Sequence, residues 1–361
     1  GLAPGMGLNA FFVFTGCLGM GYSWQFALTA ILIEGVIFII LSATKVREAI
    51  VNAIPATLKN AIGAGIGLYI AFIGMQSAGV IVDNGATLVT LGSVTSTTSI
   101  LFVIGLLLTG VLVVLNVRGG ILVGMLVTTV IGIPMGITHF SGVVSMPESI
   151  APIACQFDFS QIFSWDMLIV VFTFLFIDMF DTIGTVVGVS VKSGMVDKEG
   201  RVDGISKILM ADAVATTGGA CFGTSTTTTY IESASGVAEG GRTGLTSFTI
   251  ALGFAVALFF SPIFLAIPNA ATGAVLVIVG VMMMTPVRNI EWNDYSEAIP
   301  AFITAVMMPL TYSIAHGIML GMILYVVINA VSAIKKKEYL KKISPVMWVL
   351  FVLFVLRYIF M

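Results

Sequence analysis

Long apolar runs separated by short polar links make up most of this chain. Runs of about twenty apolar residues match the length of a helix that crosses a membrane, and they lack the two-residue alternation of a membrane β-barrel strand. The pattern therefore predicts an all-α polytopic membrane protein. Its predicted spans cover about 24–41, 61–82, 100–115, 121–137, 167–191, 208–222, 245–267, 272–284, 299–314 and 318–334.

One polar stretch, residues 223–246, interrupts this pattern between two apolar runs. Thr226–Thr229 are β-branched and favour an extended segment, and residues 231–238 are too short to span a membrane as a helix. We therefore predict an extended segment that leads into a half-helix, with Glu232 near the start of the half-helix. The positive end of the helix dipole and the free N–H groups there favour a polar ligand.

The beginning of the chain repeats this arrangement. Pro4 and three glycines within residues 1–7 disfavour a regular helix, and an apolar run follows Asn9. We expect a second extended segment with a half-helix here. Irregular backbone at membrane depth is tolerated only where protein or a wet cavity covers it, so both broken segments are predicted to line a cavity.

Composition agrees with a membrane protein and excludes several other classes. The 361 residues are 58% hydrophobic and 9% charged, with a mean hydropathy of +1.09, whereas soluble domains carry roughly a quarter charged residues. The three cysteines have no C-x-x-C spacing and are expected to be packing residues. Only two histidines are present, which argues against a metal site, and no P-loop motif supports ATP-driven transport.

The basic residues predict which links face the cytoplasm. The links that contain Lys or Arg are assigned to the cytoplasmic side; they include Lys45, Arg47, Lys59, Arg118, Lys192–Lys207, Arg242, Arg288 and Lys335–Lys342. The links 82–99 and 139–165 contain no basic residue and are predicted to be external, the second with a short helix. The apolar segment 345–361 is short and is expected to be an interfacial helix or a weak final span.

Acidic residues within the apolar runs are the main candidates for function. Asp178 and Asp181 lie three residues apart on one predicted helix and so share a face; a carboxylate inside a span usually marks a substrate or ion path. The alternative is a structural cap or a hydrogen bond to a broken segment. Glu232 can serve as a cap, a ligand or both. Glu34 lies within a span without an evident partner, as a protonated packing acid or a gate element.

Two weaker patterns point to an internal repeat. Ile54-Pro55-Ala56-Thr57 precedes one span and Ile267-Pro268-Asn269-Ala270 precedes another, each downstream of a broken segment. Interrupted segments at corresponding positions of two halves are typical of inverted repeats with a binding site near the membrane midplane. In the first of these spans, Gly63, Gly65 and Gly67 are expected to allow close helix packing.

Three motifs identify a family resemblance. They are Ala3-Pro4-Gly5-Met6-Gly7-Leu8-Asn9-Ala10-Phe11-Phe12, Phe176-Ile177-Asp178-Met179-Phe180-Asp181-Thr182-Ile183-Gly184-Thr185, and Gly223-Thr224-Ser225-Thr226 continuing through Ile231-Glu232-Ser233 to Gly240-Gly241-Arg242-Thr243-Gly244. With these motifs in this order, the chain resembles the AzgA-like purine permeases, a branch of the nucleobase transporters related to the uracil and xanthine permeases. The resemblance extends over essentially the whole chain.

The resemblance implies a fold of two inverted seven-segment repeats with a core and a gate domain, in which the third and tenth segments are each a short strand plus a half-helix. On this numbering the chain begins at the third segment, so we expect the first two to be missing. The implied domains are core 1–43 and 167–266, gate 44–138 and 267–334, an external loop 139–166, and a basic link with a C-terminal interfacial helix 335–361.

The resemblance also implies a function. It predicts a secondary active transporter that imports purine nucleobases (guanine/hypoxanthine or adenine), by proton symport and alternating access, in the plasma membrane with a cytoplasmic C-terminus. Asn9, Asp178 and Glu232 are the implied substrate-binding residues. The supporting or proton-coupling residues are Asp181, Thr182, Thr229 and Ser233. No metal, catalytic residue or nucleic-acid partner is expected, and a homodimer is compatible with the sequence.

Two other classes compete with this interpretation. One is an intramembrane enzyme that uses Asp178 and Asp181 as metal ligands; uptake that does not depend on magnesium would argue against it. The other is a passive channel, for which a proton uncoupler would leave uptake unchanged. Interrupted segments in both halves favour alternating access over a channel.

Overall fold

The computed structural model describes residues 1–5, 9, 12–13, 17, 21–196, 201–202, 204–230 and 232–360. In the first part of the chain the elements are β1 (Leu2–Pro4), α1 (Trp24–Ala43), α2 (Val46–Ala53), α3 (Ala56–Ser77), β2 (Ile81–Asn84), β3 (Leu88–Leu91), α4 (Thr97–Val114) and α5 (Gly120–Ile131). Six helices of the described chain are long and apolar enough to cross a membrane.

The second part of the chain contains the remaining elements. Its elements are α6 (Trp165–Ser193), α7 (Ile205–Cys221), β4 (Thr227–Thr229), α8 (Ser233–Ala238), α9 (Gly244–Phe259), α10 (Ser261–Leu265), α11 (Asn269–Met283), a 3₁₀ turn (Thr285–Asn289), α12 (Tyr295–Thr311), α13 (Ile314–Ser332), α14 (Glu338–Lys341) and α15 (Pro345–Phe360). Side-chain caps start several of them: Ser164 accepts the Met167 N–H at 3.0 Å and so begins α6.

The predicted all-α architecture is confirmed, with local differences in where the elements begin and end. The span predicted at 61–82 begins and ends about five residues earlier, because Pro55 precedes its first turn and a β2–β3 hairpin takes its last residues. The span predicted at 245–267 is divided at Phe260, before Pro262. The prediction of a short helix within 139–165 is wrong: this loop contains turns and irregular backbone but no helix before Trp165.

Both broken segments contain the predicted extended stretch; a half-helix, α8, follows β4, whereas the half-helix predicted after Asn9 lies mostly outside the described residues. β1 and β4 pair antiparallel, with Leu2 opposite Thr229 and Pro4 opposite Thr227. The pairing continues at each end, where the Gly5 N–H donates to the Thr226 carbonyl at 3.2 Å and the Tyr230 N–H donates to the Gly1 carbonyl at 2.9 Å. Each strand therefore supplies the hydrogen bonds that the other needs away from water.

The chain divides into two compact units. The first comprises 1–65, 149–233 and 286–361 and contains the strand pair. One of its cores packs α1 against α6 around Phe26, Ile31 and Phe174. These units are defined by contacts and do not coincide with the predicted core and gate segments, which stay a prediction.

The C-terminal helix α15 packs within this first unit. Phe354 makes edge-on ring contacts with Phe176 and Phe180, with centroids 5.7 and 4.9 Å apart, and its side chain is fully buried. In the sequence of α6, these two phenylalanines lie two positions before and two positions after Asp178. One face of α15 is thus covered by a membrane-length helix, while its predicted interfacial position stays a prediction.

The second unit comprises 66–148 and 234–285. The helices α3 and α11 approach closely there: a Cβ on Gly67 would lie 2.6 Å from the Gly280 carbonyl oxygen, and a Cβ on Gly280 would lie 2.5 Å from the Gly67 carbonyl oxygen. In the first unit, a Cβ on Gly65 would lie 2.7 Å from the Ala305 Cα. Close packing at Gly65 and Gly67 is therefore confirmed.

We expect Gly67→Ala to destabilise the second unit. The added methyl group meets backbone that cannot rotate away, and such overpacking costs about 1–3 kcal/mol. That cost exceeds the roughly 0.5–1 kcal/mol that alanine contributes over glycine inside a helix. Thermal unfolding of the purified protein in detergent measures the effect.

Gly253→Ala is the matched control for this substitution. Gly253 also lies inside an apolar helix, α9, but nothing lies within 4 Å of a Cβ built there, so alanine should be neutral or slightly stabilising. Equal melting temperatures for the two variants would contradict close packing at Gly67.

Candidate functional site

Polar and charged side chains from four helices converge behind the β1–β4 pair. The stretch that leads into β4 is rich in threonine, and Thr226, Thr227 and Thr228 are all buried. Asp178 lies in the middle of α6 and is also fully buried. A buried polar group must find a partner or lose stability, and these residues find theirs on the helices behind the strand pair: Thr226 bonds to Glu34, and Thr228 and Asp178 both bond to Thr182.

A chain of hydroxyl groups connects Asp178 to β4. Thr182, one helical turn beyond Asp178, donates its hydroxyl hydrogen to Asp178 Oδ1 at 3.0 Å. The Thr182 and Thr228 hydroxyl oxygens are 2.7 Å apart; because Thr182 uses its one hydrogen on Asp178, Thr228 is the donor of this second bond. Thr182 therefore joins Asp178 to β4, while its supporting role in binding or coupling stays a prediction.

A buried ion pair lies beside this chain. Arg47 Nη2 donates to Asp212 Oδ2 at 2.8 Å, and both side chains are 0% exposed. Arg47 Nη1 also donates to the Leu209 carbonyl at 3.1 Å, and the guanidinium lies 4.0 Å from the centre of the Phe38 ring. The Thr229 backbone N–H donates to the Asp212 carboxylate. The pair therefore ties α2 to α7 and α7 to β4.

Glu34 on α1 belongs to the same cluster. It is fully buried, accepts a hydrogen bond from Thr226 Oγ1 at 3.2 Å, and lies within hydrogen-bond reach of Asp178. The neighbouring Gly35 allows α1 to approach α7 closely, because a Cβ on Gly35 would lie only 2.9 Å from the Thr217 nitrogen. The close contact between α1 and α7 brings Glu34 near Asp212.

The half-helix side of the site is more open. Asn9 is exposed and accepts a hydrogen bond from the Ser225 hydroxyl through its Oδ1, which links the two broken segments. Glu232 is half-buried and directly precedes α8, as predicted. Ser233 begins that half-helix, and its Oγ accepts a hydrogen bond from the Gly1 nitrogen at 3.0 Å.

Of the predicted residues, Asp181 is the one placed elsewhere. Its carboxylate accepts a hydrogen bond from the Ala315 backbone N–H, in the first turn of α13. Asp178 and Asp181 therefore accept hydrogen bonds from different neighbours, since residues three apart on a helix still differ in direction by about 60°. The alternative of a two-aspartate metal enzyme is not supported, because the two carboxyl groups have different neighbours. The described chain also contains no group of three or more His, Cys, Asp or Glu that could hold a metal ion.

Sequence reasoning missed three members of the cluster. Asp212 is an acid inside a predicted span, so the rule that selected Asp178 would also have selected it. Arg47 is predicted only as a basic residue of a cytoplasmic link, and Glu34 as a protonated packing acid or a gate element without an evident partner. Nothing local in the sequence indicates that Arg47 pairs with a residue 165 positions away.

The arrangement suits a flat ligand with hydrogen-bonding edges. Glu232 offers a carboxylate beside the free N–H groups of a half-helix, and the Asn9 amide can both donate and accept. Behind them, the hydroxyl chain and the buried ions fix the strand pair from which both residues extend.

Comparisons with known proteins show to which family the chain belongs. A family model described as Permease family (Xan_ur_permease) matches residues 2–320. The chain is 45% identical over its whole length to the guanine/hypoxanthine permease PbuG of Bacillus subtilis, covering 81% of that protein. It is 38% identical over 99% of its length to the adenine permease AdeP of Escherichia coli, covering 80% of it.

A solved structure shares the fold at low sequence identity. It is the transmembrane domain of the cyanobacterial bicarbonate transporter BicA, with a TM-score of 0.58 and 16% identity. The match covers 87% of this chain and 80% of that domain. The predicted inverted-repeat fold, with its two strand-plus-half-helix segments, is thereby confirmed.

We expect Arg47→Met to destabilise the protein by about 3–5 kcal/mol, because it leaves the Asp212 carboxylate buried without a cation. The double variant Arg47→Met/Asp212→Asn removes both charges and should recover most of that loss. Chemical or thermal unfolding in detergent measures both effects.

Lys342→Met provides the control. Lys342 bridges Asp294 at 3.1 Å and Glu297 at 2.9 Å, but a third of its side chain is exposed, so its loss should cost about 1 kcal/mol or less. A double variant no more stable than Arg47→Met alone would refute the ion-pair account.

Proposed function

We propose that this chain, which belongs to the permease family, is a secondary active transporter that imports purine nucleobases such as guanine, hypoxanthine or adenine. Transport would proceed by alternating access, with the two broken segments at the substrate site. The proposal rests chiefly on one observation. Over almost its whole length, the chain is similar to permeases named for these three bases.

The chemistry of a purine fits the open side of the site. A purine is flat and neutral at physiological pH, with donors and acceptors along its edges. Glu232 would accept ring or exocyclic N–H groups, and Asn9, held by Ser225, would present its amide N–H₂ to a ring nitrogen. Asp178 lies fully buried behind β4 and would act on this site through Thr182 and Thr228; its direct contact with the base stays a prediction.

We further propose proton symport in the cell membrane, with the C-terminus in the cytoplasm. Buried carboxyl groups with few donors are suited to take up and release a proton as the site opens to either side. The basic run after α13 favours the cytoplasmic assignment. A homodimer and the movement of a core domain against a gate domain stay predictions.

Uptake by cells that express the complete gene tests the proposal. Labelled hypoxanthine should accumulate, excess unlabelled guanine or adenine should compete, and a proton uncoupler should abolish accumulation. Failure of every purine to enter or compete would exclude the substrate assignment. Uptake that persists unchanged with the uncoupler would exclude symport and favour a passive channel.

Glu232→Gln tests the site itself. Loss of a charge-assisted hydrogen bond in a desolvated pocket costs about 1.5–3 kcal/mol, so purine affinity should fall by about ten- to a hundredfold. Equilibrium binding to the purified variant measures this fall. Glu239→Gln changes an exposed acid on the same stretch and should leave affinity unchanged. Equal affinities for the two variants would remove Glu232 from the site.

A further inference from the structure

Four fully buried charged side chains, one from each of four helices, form a cluster with more acids than bases. The acids are Glu34 on α1, Asp178 on α6 and Asp212 on α7, and the only base among them is Arg47 on α2. Asp178, Asp212 and Arg47 are also the charged groups that face Glu34 from the described elements around α1. A buried charge without a counter-charge is strongly unfavourable, so the cluster must reduce its excess of negative charge.

Asp212 is the acid that Arg47 neutralises. The ion pair is short, at 2.8 Å, and the Asp212 carboxylate also receives the Thr229 backbone N–H. Arg47 Nη1 donates to the Leu209 carbonyl at 3.1 Å and to the Ser42 hydroxyl at 3.5 Å, while its buried Nε finds no partner in the described chain. An ionised carboxylate and a guanidinium account for every one of these contacts.

Glu34 and Asp178 have fewer donors. Glu34 Oε2 accepts the Thr226 hydroxyl at 3.2 Å, and Asp178 Oδ1 accepts the Thr182 hydroxyl at 3.0 Å. The other oxygen of each carboxyl group, Glu34 Oε1 and Asp178 Oδ2, is buried and accepts no hydrogen bond from the described chain. Yet the two carboxyl groups lie within hydrogen-bond reach of each other.

Two ionised carboxylates cannot hydrogen-bond to each other, because each is only an acceptor. A proton on one of them turns the repulsion into a hydrogen bond and satisfies the missing donor. A second proton is not needed, since the remaining carboxylate then accepts from its neighbour and from a threonine hydroxyl.

We propose that Glu34 and Asp178 share a single proton, held as a carboxylic acid hydrogen-bonded to a carboxylate. Glu34 is then a positioning residue that fixes where the proton of the buried cluster resides. A role of this shared proton in transport rests on the proposed symport. The shared proton itself rests only on the contacts within the cluster.

The hydroxyl of Thr182 would carry the charge state of this pair to the broken segments. Its one hydrogen lies between Asp178 Oδ1 at 3.0 Å and Asp212 Oδ1 at 3.5 Å, and its oxygen contacts Thr228 Oγ1 at 2.7 Å. Loss of the shared proton leaves two facing carboxylates that compete for donors. Thr228 lies in β4, which pairs with β1. A change in the hydrogen bonds of the Thr182 hydroxyl therefore alters a contact of the strand pair.

Infrared absorption by protonated carboxylic acids tests the shared proton on the purified, full-length protein at neutral pH. We compare wild type, Glu34→Gln, Asp178→Asn and the double variant. A shared proton predicts that the wild type absorbs more than the double variant. Each single variant should equal one or the other, because a single proton either moves to the remaining acid or leaves.

Two outcomes would overturn the proposal. Single variants that both absorb halfway between the wild type and the double variant would show two separate protons. Equal absorption by the wild type and the double variant would show that both acids are ionised. Glu338→Gln, at an exposed acid of α14, is the control and should match the wild type. If Glu34→Gln does not fold, Glu34→Met takes its place, with the same halfway criterion.

The transport arm separates this inference from the proposed function. Glu34→Gln should still exchange labelled purine across the membrane but should lose accumulation driven by a proton gradient, and Glu338→Gln should keep both. Full accumulation by Glu34→Gln would remove Glu34 from coupling. If the wild type itself carries no purine, the proposed function fails, while the infrared comparison still decides whether the proton is shared.

Discussion

The structure depends on one constraint of the lipid environment: a backbone N–H or C=O group that finds no partner there costs several kcal/mol. Two segments of this chain are extended rather than helical at membrane depth, so their backbone N–H and C=O groups need partners from another segment. They satisfy each other, as β1 pairs with β4 and the bonding continues at Gly5 and Tyr230. This mutual dependence explains why residues at opposite ends of the first unit meet, and why half-helix ends become available for a ligand.

The strand pair in turn sets the positions of the buried charges. β4 gives its Thr229 N–H to Asp212, Thr228 bonds to Thr182, and Thr226 reaches Glu34. The acids of α1, α6 and α7 are therefore bonded to the stretch around β4, Asp178 through Thr182. The ion pair between Arg47 and Asp212 is one stabilising element, while the pair of Glu34 and Asp178 is poised for a change in charge. Both kinds of acid occur within one cluster because, among the described residues, Arg47 is the one cation that faces them.

Much of this fold could be predicted from the sequence, because apolar runs and β-branched stretches act locally. The spans, the extended segments and the position of Glu232 all follow from residues within one or two helical turns. The partners within the cluster could not be predicted, since Arg47 and Asp212 are joined only by the fold. A basic residue at the end of a span looks the same in sequence whether it points to water or to a buried acid. Asp181 shows the same limit, because its partner is a backbone group of α13.

The contact between α3 and α11 has a consequence for how such a chain can change over time. Gly67 and Gly280 each lie twelve residues after the proline that precedes their helix, Pro55 and Pro268, and each glycine faces the carbonyl group of the other. This is an isologous contact, in which a patch meets its own counterpart as in a two-fold symmetric dimer. At this contact, α3 and α11 therefore meet as corresponding helices of two subunits would. An insertion between proline and glycine in one half would have to be matched in the other, so neither half can drift in length on its own.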